Sequence, residues 1–211
     1  MVEKVRARKC EQELFIESIW NATHDTLTGL ANRVLLYENG RRAVEAWKRH
    51  GTGFAVIYVD LDKFKPINDN YGHKAGDEVL IQFSKKLVSS TRSVDTVARL
   101  GGDEFVILAD CINTMSEITT VIEKILNAVA QPFPVGSNNL EVGASIGVTM
   151  CPRDGTDWDT LLQRADTCMY RAKKYSDKKV IIYSIDNSDQ GTFGICTPAV
   201  LTASGQPLIF L

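Results

Sequence analysis

The segment Arg99-Leu100-Gly101-Gly102-Asp103-Glu104-Phe105 sets two glycines and two acids between apolar stretches that read as paired strands. Glycines admit backbone conformations closed to other residues and let a ligand approach the chain, while adjacent carboxylates can hold a hard cation or handle a proton. Taken alone, such a segment is also what an ordinary tight turn with solvated acids looks like. It is not alone. Asp60-Leu61-Asp62 closes an apolar run upstream and is followed by Lys65, Asn68, His73 and Asp77. Phosphoryl and nucleotidyl transfer pass through charged oxygens and use a divalent metal. Magnesium prefers one or two carboxylates plus waters and substrate phosphates, which Asp60 and Asp103 can supply if the fold brings them together. Gly101 and Gly102 would let backbone N–H groups reach a phosphate.

The elements that must position these residues follow from apolar periodicity. Residues 2–22 are charged and helix-forming, with Leu14, Phe15, Ile19 and Trp20 on an apolar stripe; they predict a helix that either leads in from another segment or packs on its own domain. A second helix is predicted over Val34 to Arg49, broken by His50-Gly51-Thr52-Gly53 before the strand Phe54 to Val59. That strand is a nearly continuous apolar run, as a central buried strand requires, and it delivers Asp60 at its C-terminal end. The remaining pattern predicts a helix over 76–90, strands over 96–100 and 105–108 around the glycine hairpin, and a helix over 116–130 stopped by Pro132 and Pro134. A strand over 142–149, a helix over 158–174 and a strand over 180–183 follow. Strands alternating with helices around one hairpin mean α/β, or α+β with a mostly antiparallel sheet.

Composition bounds the class. The chain has 211 residues, 44% hydrophobic content and a formal charge of -2, which suits a globular domain with a sizeable core. No basic excess asks for a nucleic-acid backbone as partner, and no apolar run approaches the ~18–20 residues that span a bilayer. The five cysteines are scattered without a C-x-x-C pair, which predicts reduced or buried thiols in a cytoplasmic chain, with no zinc site and no disulfide framework. Residues 186–211 are poor in charge and rich in Ser, Thr, Gly and Pro; periodicity assigns them no structure.

Beyond the hairpin, ordered blocks make the chain resemble the GGDEF family of diguanylate cyclases: Asp25 to Arg33, Asp60 to Asp69, Gly72 to Asp77, Arg92 to Phe105, and Ala165 to Lys173. The resemblance covers about residues 21–185, leaving 1–20 as a linker or signalling helix and 186–211 as a tail. It implies a palm-like, mostly antiparallel α+β sheet flanked by helices and related to adenylyl cyclase catalytic domains. It also implies a reaction in which two GTP molecules, one on each domain of a homodimer, give cyclic di-GMP and two pyrophosphates with Mg²⁺ or Mn²⁺. An upstream sensory domain is part of the same expectation.

Position by position, the resemblance makes Asp60, Asp103 and the backbone carbonyl of Leu61 metal ligands, with Asp103 or Glu104 the base for the 3′-hydroxyl proton. Lys65 matches a cation that stabilises transition-state charge, Asn68 and Asp77 match guanine readers, and His73 matches a contact near base and ribose. Lys173 matches a phosphate contact. Arg92 and Asp95 match an R-x-x-D site for product inhibition, where a guanidinium and a carboxylate suit guanine edges and phosphate. One departure stands out: Asp177 falls where the family has an arginine on the terminal phosphates, and an acid cannot replace that donor, although Lys174 or Lys178 offers a charge nearby. The alternative reading is therefore a catalytically weak domain that binds GTP or cyclic di-GMP.

Overall fold

The computed structural model describes residues 17–174, 179–183, 200–201 and 207–208. Residues 17–23 are helical, and helix α1 then runs Arg33–His50. Asn32 caps it by accepting from the backbone N–H groups of Val34 and Leu35, and Gly51, at φ 72°, closes its end by donating to the Trp47 carbonyl. An Asn N-cap and a left-handed Gly after the last turn satisfy backbone groups that a helix leaves unpaired. Strand β1, Phe54–Asp62, leads to two helices, α2 (Phe64–Tyr71) and α3 (His73–Ser90). The hairpin β2 (Thr96–Gly101) and β3 (Glu104–Asp110) comes next, then α4 (Met115–Val129), whose N-terminus carries a capping box between Thr114 and Glu117.

A small hairpin, β4 (Phe133–Val135) with β5 (Asn138–Leu140), precedes β6 (Gly143–Cys151), α5 (Trp158–Lys174) and β7 (Val180–Ile182). In the tail, β8 (Val200–Leu201) pairs antiparallel with β9 (Pro207–Leu208). The central sheet has the order β2-β3-β1-β6-β7, antiparallel throughout except for the parallel pair β6 and β7. This is the expected mostly antiparallel α+β sheet.

Side chains alternate across each strand, so β1 feeds both faces. Ala55, Ile57, Val59 and Leu61 join the core under α3 and α4, with Phe83, Phe105 and Phe133 at its centre. Phe54, Val56 and Tyr58 join the other core, against Leu36 and Val44 of α1 and Trp158, Leu161 and Met169 of α5. By the same alternation Asp60 and Asp62 fall on the α5 side. Helix α5 lies flush on β6 at Gly147, where a β-carbon would sit 2.0 Å from the Ala165 carbonyl oxygen and 2.2 Å from the Met169 nitrogen.

Buried Cys168 of α5 is disulfide-bonded, so the expectation of thiols throughout is corrected there, while Cys111 and Cys151 are free. Among the described residues no helix is long and apolar enough to cross a membrane.

Candidate active site at the acidic edge of the sheet

Strand β1 does not stop at Asp60 but continues to Asp62. Asp60 lies opposite Glu104 on β3 and Ser145 on β6, and the next residue, Leu61, donates its N–H to the Asp103 carbonyl at 3.2 Å. The two acidic sites of the sequence are thus rungs of one ladder. Glu104 shares the α5 side with Asp60 and accepts from the Tyr58 hydroxyl at 3.3 Å. Burial, and then the charges of Glu104 and Asp166, raise the Tyr58 pKa, so the hydroxyl keeps the proton it donates to Glu104.

The turn between β2 and β3 needs its glycines: Gly101 has φ 144° and Gly102 φ 52°, and the ladder slips between Arg99 and Gly101. Arg99 then ties the turn down. Its Nε and Nη2 donate to the Gly102 carbonyl at 3.0 and 2.8 Å, and its Nη1 donates to both oxygens of Asp25 at 3.0 and 3.2 Å. Asp25 also accepts from the Thr28 N–H and hydroxyl at 2.9 and 2.6 Å. Burial works against its ionisation, but the bonds from Thr28 and Arg99 hold its pKa below the usual value. No spacing signal in the sequence links Arg99 to Asp25, which lie 74 residues apart in the chain.

Asp60 is 4% exposed, and Lys173 in the last turn of α5 reaches it with Nζ 2.6 Å from Oδ1. Burial pushes the Asp60 carboxyl up to about 6; the Lys173 bond opposes that rise, and the nearby Asp103 and Glu104 charges add to it. Burial lowers the Lys173 pKa, but its bond to Asp60 outweighs this and the net shift is upward. Asp62 is paired separately, accepting from Ser145 Oγ at 2.7 Å and from Lys179 Nζ at 2.5 Å.

The remaining candidates surround this edge or lie away from it. Lys65 is exposed on α2, Asn68 is half-buried there, and His73 and Asp77 are exposed on the first turns of α3. The Asn68 amide oxygen lies over Gly76, where a β-carbon would be 2.0 Å away, so it stands beside the residue preceding Asp77. Arg92 and Asp95 precede β2, at the end of the hairpin away from the glycine turn. Asp95 is not ion-paired to Arg92 among the described residues; its Oδ2 accepts from the Arg92 backbone N–H at 2.7 Å and its Oδ1 from that of Asp110 at 3.1 Å. The carboxylate therefore fixes this turn against β3, while the Arg92 side chain stays exposed. Asp177 and Lys178 lie outside the described residues. A cavity of about 550 Å³ lies at the opposite end of the sheet from the acids, lined among others by Asn39, Arg42, His50, Thr96 and Asp110.

The donors at the edge are hard oxygens. Among the described residues no cluster of three or more His, Cys, Asp or Glu side chains forms a metal cage. The set fits a cation that takes one or two carboxylates and completes its shell with water and substrate oxygens, as magnesium does. A buried carboxylate whose ionisation is costly, beside two other acids, is the observation that favours a cation there.

Comparison with known proteins agrees with this geometry. The family description "Diguanylate cyclase, GGDEF domain" matches residues 22–179. The bifunctional diguanylate cyclase/cyclic di-GMP phosphodiesterase MucR of Pseudomonas aeruginosa is 38% identical over 180 residues, covering 85% of this chain and 24% of that protein. Diguanylate cyclase DgcP of Escherichia coli is 34% identical over 155 residues, covering 73% of this chain and 45% of its own. Among solved structures, the coiled coil and GGDEF domain of DgcB from Caulobacter crescentus, in complex with c-di-GMP, superposes with a TM-score of 0.75 at 25% identity, covering 86% of this chain and 96% of that one. The chain spans less than half the length of these curated relatives. Its fold, its hairpin and these matches make one conclusion: the chain belongs to the GGDEF domain family of diguanylate cyclases.

Proposed function

We propose that the chain is an active diguanylate cyclase domain that condenses two GTP into cyclic di-GMP and two pyrophosphates across a homodimer, under an upstream sensory domain. The observation that carries this reading is the buried Asp60 on the same edge as the Gly101-Gly102-Asp103-Glu104 turn, with Lys173 above it. Each 3′-oxygen attacks the α-phosphorus of the opposite GTP, the bond to the bridging oxygen breaks, and pyrophosphate leaves. The 3′-hydroxyl proton passes to Asp103 or Glu104. A bound Mg²⁺ or Mn²⁺, held by Asp60, Asp103 and the Leu61 carbonyl, would neutralise phosphate charge.

The chain's own residues do the positioning. Asn68 and Asp77 hold guanine, a carboxylate accepting from N1–H and the 2-amino group and an amide both donating and accepting. His73 contacts the nucleoside, the Gly101 and Gly102 backbone admits phosphate, and Lys65 and Lys173 meet developing negative charge. Holding two nucleotides face to face supplies much of the catalysis.

Pyrophosphate release from GTP and Mg²⁺, followed across protein concentrations, tests the reading. Specific activity is expected to rise with concentration as dimers form. GTP binding without turnover would instead favour the second reading, a GTP or cyclic di-GMP binding module, for which Asp177 at the arginine position speaks. Product control is a separate expectation: Arg92→Ala should raise the cyclic di-GMP concentration needed for inhibition about 10- to 100-fold, the worth of a charged hydrogen bond, with little change in initial rate. Progress curves with added product measure both, and unchanged inhibition removes Arg92 from the product site.

A further inference from the structure

We propose that Lys173 is the resident counter-ion of the metal site: its ammonium holds the Asp60 carboxylate until a divalent cation takes that oxygen, and the displaced lysine then turns to the nucleotide's phosphates. The inference rests on the cyclase reading above and concerns how metal and nucleotide are coupled at that site.

The asymmetry of the pair carries it. Asp60 is fixed near the end of the central strand β1, between Glu104 and Ser145, with its side chain 6% exposed. Lys173 approaches on a flexible four-carbon stem and stays 44% exposed. A carboxylate this buried, opposite Glu104, is costly without an opposite charge, and Lys173 supplies that charge at 2.6 Å. A cation arriving on Oδ1 competes for the same oxygen and repels the ammonium. Asp60 cannot move away, whereas Lys173 can swing outward without any shift of α5, which Gly147 seats on β6.

The neighbouring pair behaves differently. Asp62 is held by Ser145 as well as Lys179, two residues further along the same face, so Lys179 provides a cation of similar setting that does not cover Asp60.

Two consequences follow from linkage. Metal alone binds weakly because it must displace Lys173, and metal with triphosphate binds cooperatively because phosphate receives the displaced lysine. The test uses the full chain and Mn²⁺ alone, with free Mn²⁺ read by electron paramagnetic resonance and folding checked by circular dichroism. Lys173→Met is expected to bind Mn²⁺ about 5- to 150-fold more tightly than wild type, the usual span of a coupling between sites. Lys179→Met should change affinity much less. A non-hydrolysable GTP analogue should then strengthen Mn²⁺ binding less in Lys173→Met than in wild type. Lys173→Gln, which keeps length and polarity without charge, is the second variant should the methionine disturb folding.

Unchanged or weaker Mn²⁺ binding in both Lys173 variants overturns the proposal, and so does an equal gain in Lys179→Met, which would reduce the effect to general charge. Asp60→Asn separates the two levels: if it still binds Mn²⁺ as wild type does, the metal-site reading itself is wrong.

Discussion

Asp60→Asn is expected to stop cyclic di-GMP synthesis while making the metal-free domain more stable above pH 6. Changes in the outer shell of a metal site alone cost about 10- to 100-fold, so loss of a ligand should exceed about a hundredfold. The stability gain follows from the sign of the Asp60 shift. Its carboxyl titrates at 3.8 when unperturbed and at about 6 in the folded chain, chiefly because it is buried. Between these values the folded state keeps a proton that the unfolded state has released, so metal-free stability falls as pH rises through that window and the full cost is present above it. Asparagine removes the ionisation, and the Lys173 it leaves behind is 44% exposed and stays hydrated. Melting without metal should therefore come several degrees higher than wild type at pH 8 and converge at pH 4, at about 2 to 4 °C per kcal/mol for a domain of this size. Added Mg²⁺ should raise the melting point of wild type only. A variant that melts below wild type at pH 8, or that still makes product at a near-normal rate, contradicts this account.

Gly147→Ala carries the second large effect, and it reaches the acids from the far side of a helix. The added carbon would lie 2.0 Å from the Ala165 oxygen, 2.2 Å from the Met169 nitrogen and 2.9 Å from the Cys168 carbonyl carbon. These are backbone atoms of α5, which no rotamer change relieves. The helix must lift off β6, and a loss of about 3 kcal/mol or more is expected, as for other overpacked cores. Because α5 carries Lys173, the lift also loosens the contact with Asp60. Thermal melting of the variant within a degree of wild type would show that the two elements are less closely seated than the contact implies.

The parts of this arrangement that were legible in the sequence are those governed by local chemistry. Helix α5 begins at Trp158 and ends at Lys174 as its apolar spacing predicts, and the two glycines mark the hairpin turn. The apolar pattern ends β1 at Val59, short of its true end at Asp62, because Asp60 and Asp62 look like the end of an apolar run. The strand runs on through them by pairing with β6 as far as Asp62, and Lys173 and Lys179 neutralise them from positions 113 and 117 residues away, which no periodicity reveals. Helix α2 was hidden by Pro66, which sits in its first turn, where a missing N–H costs nothing. The β4 and β5 hairpin leaves no periodic signal because its strands are three residues each. The partnership of Arg99 with Asp25 spans 74 residues, and Asp95 proved to be occupied by backbone N–H groups that a motif cannot show.

The loop that follows residues 17–23 is stitched to its surroundings at both ends. Asn32 donates to the carbonyls of Ala22 and Thr23, Asp25 donates to that of Leu30, and Ala31 bridges to Ala98, giving its carbonyl to Arg99 and taking that of Val97. Asp25 and Arg99 then reach the glycine turn. In mechanical terms this is a welded joint and not a swivel. A displacement of the helix of residues 17–23 would therefore be felt at the glycine turn and at the sheet edge together, and in the proposed dimer the way those helices are held would set how two domains face one another.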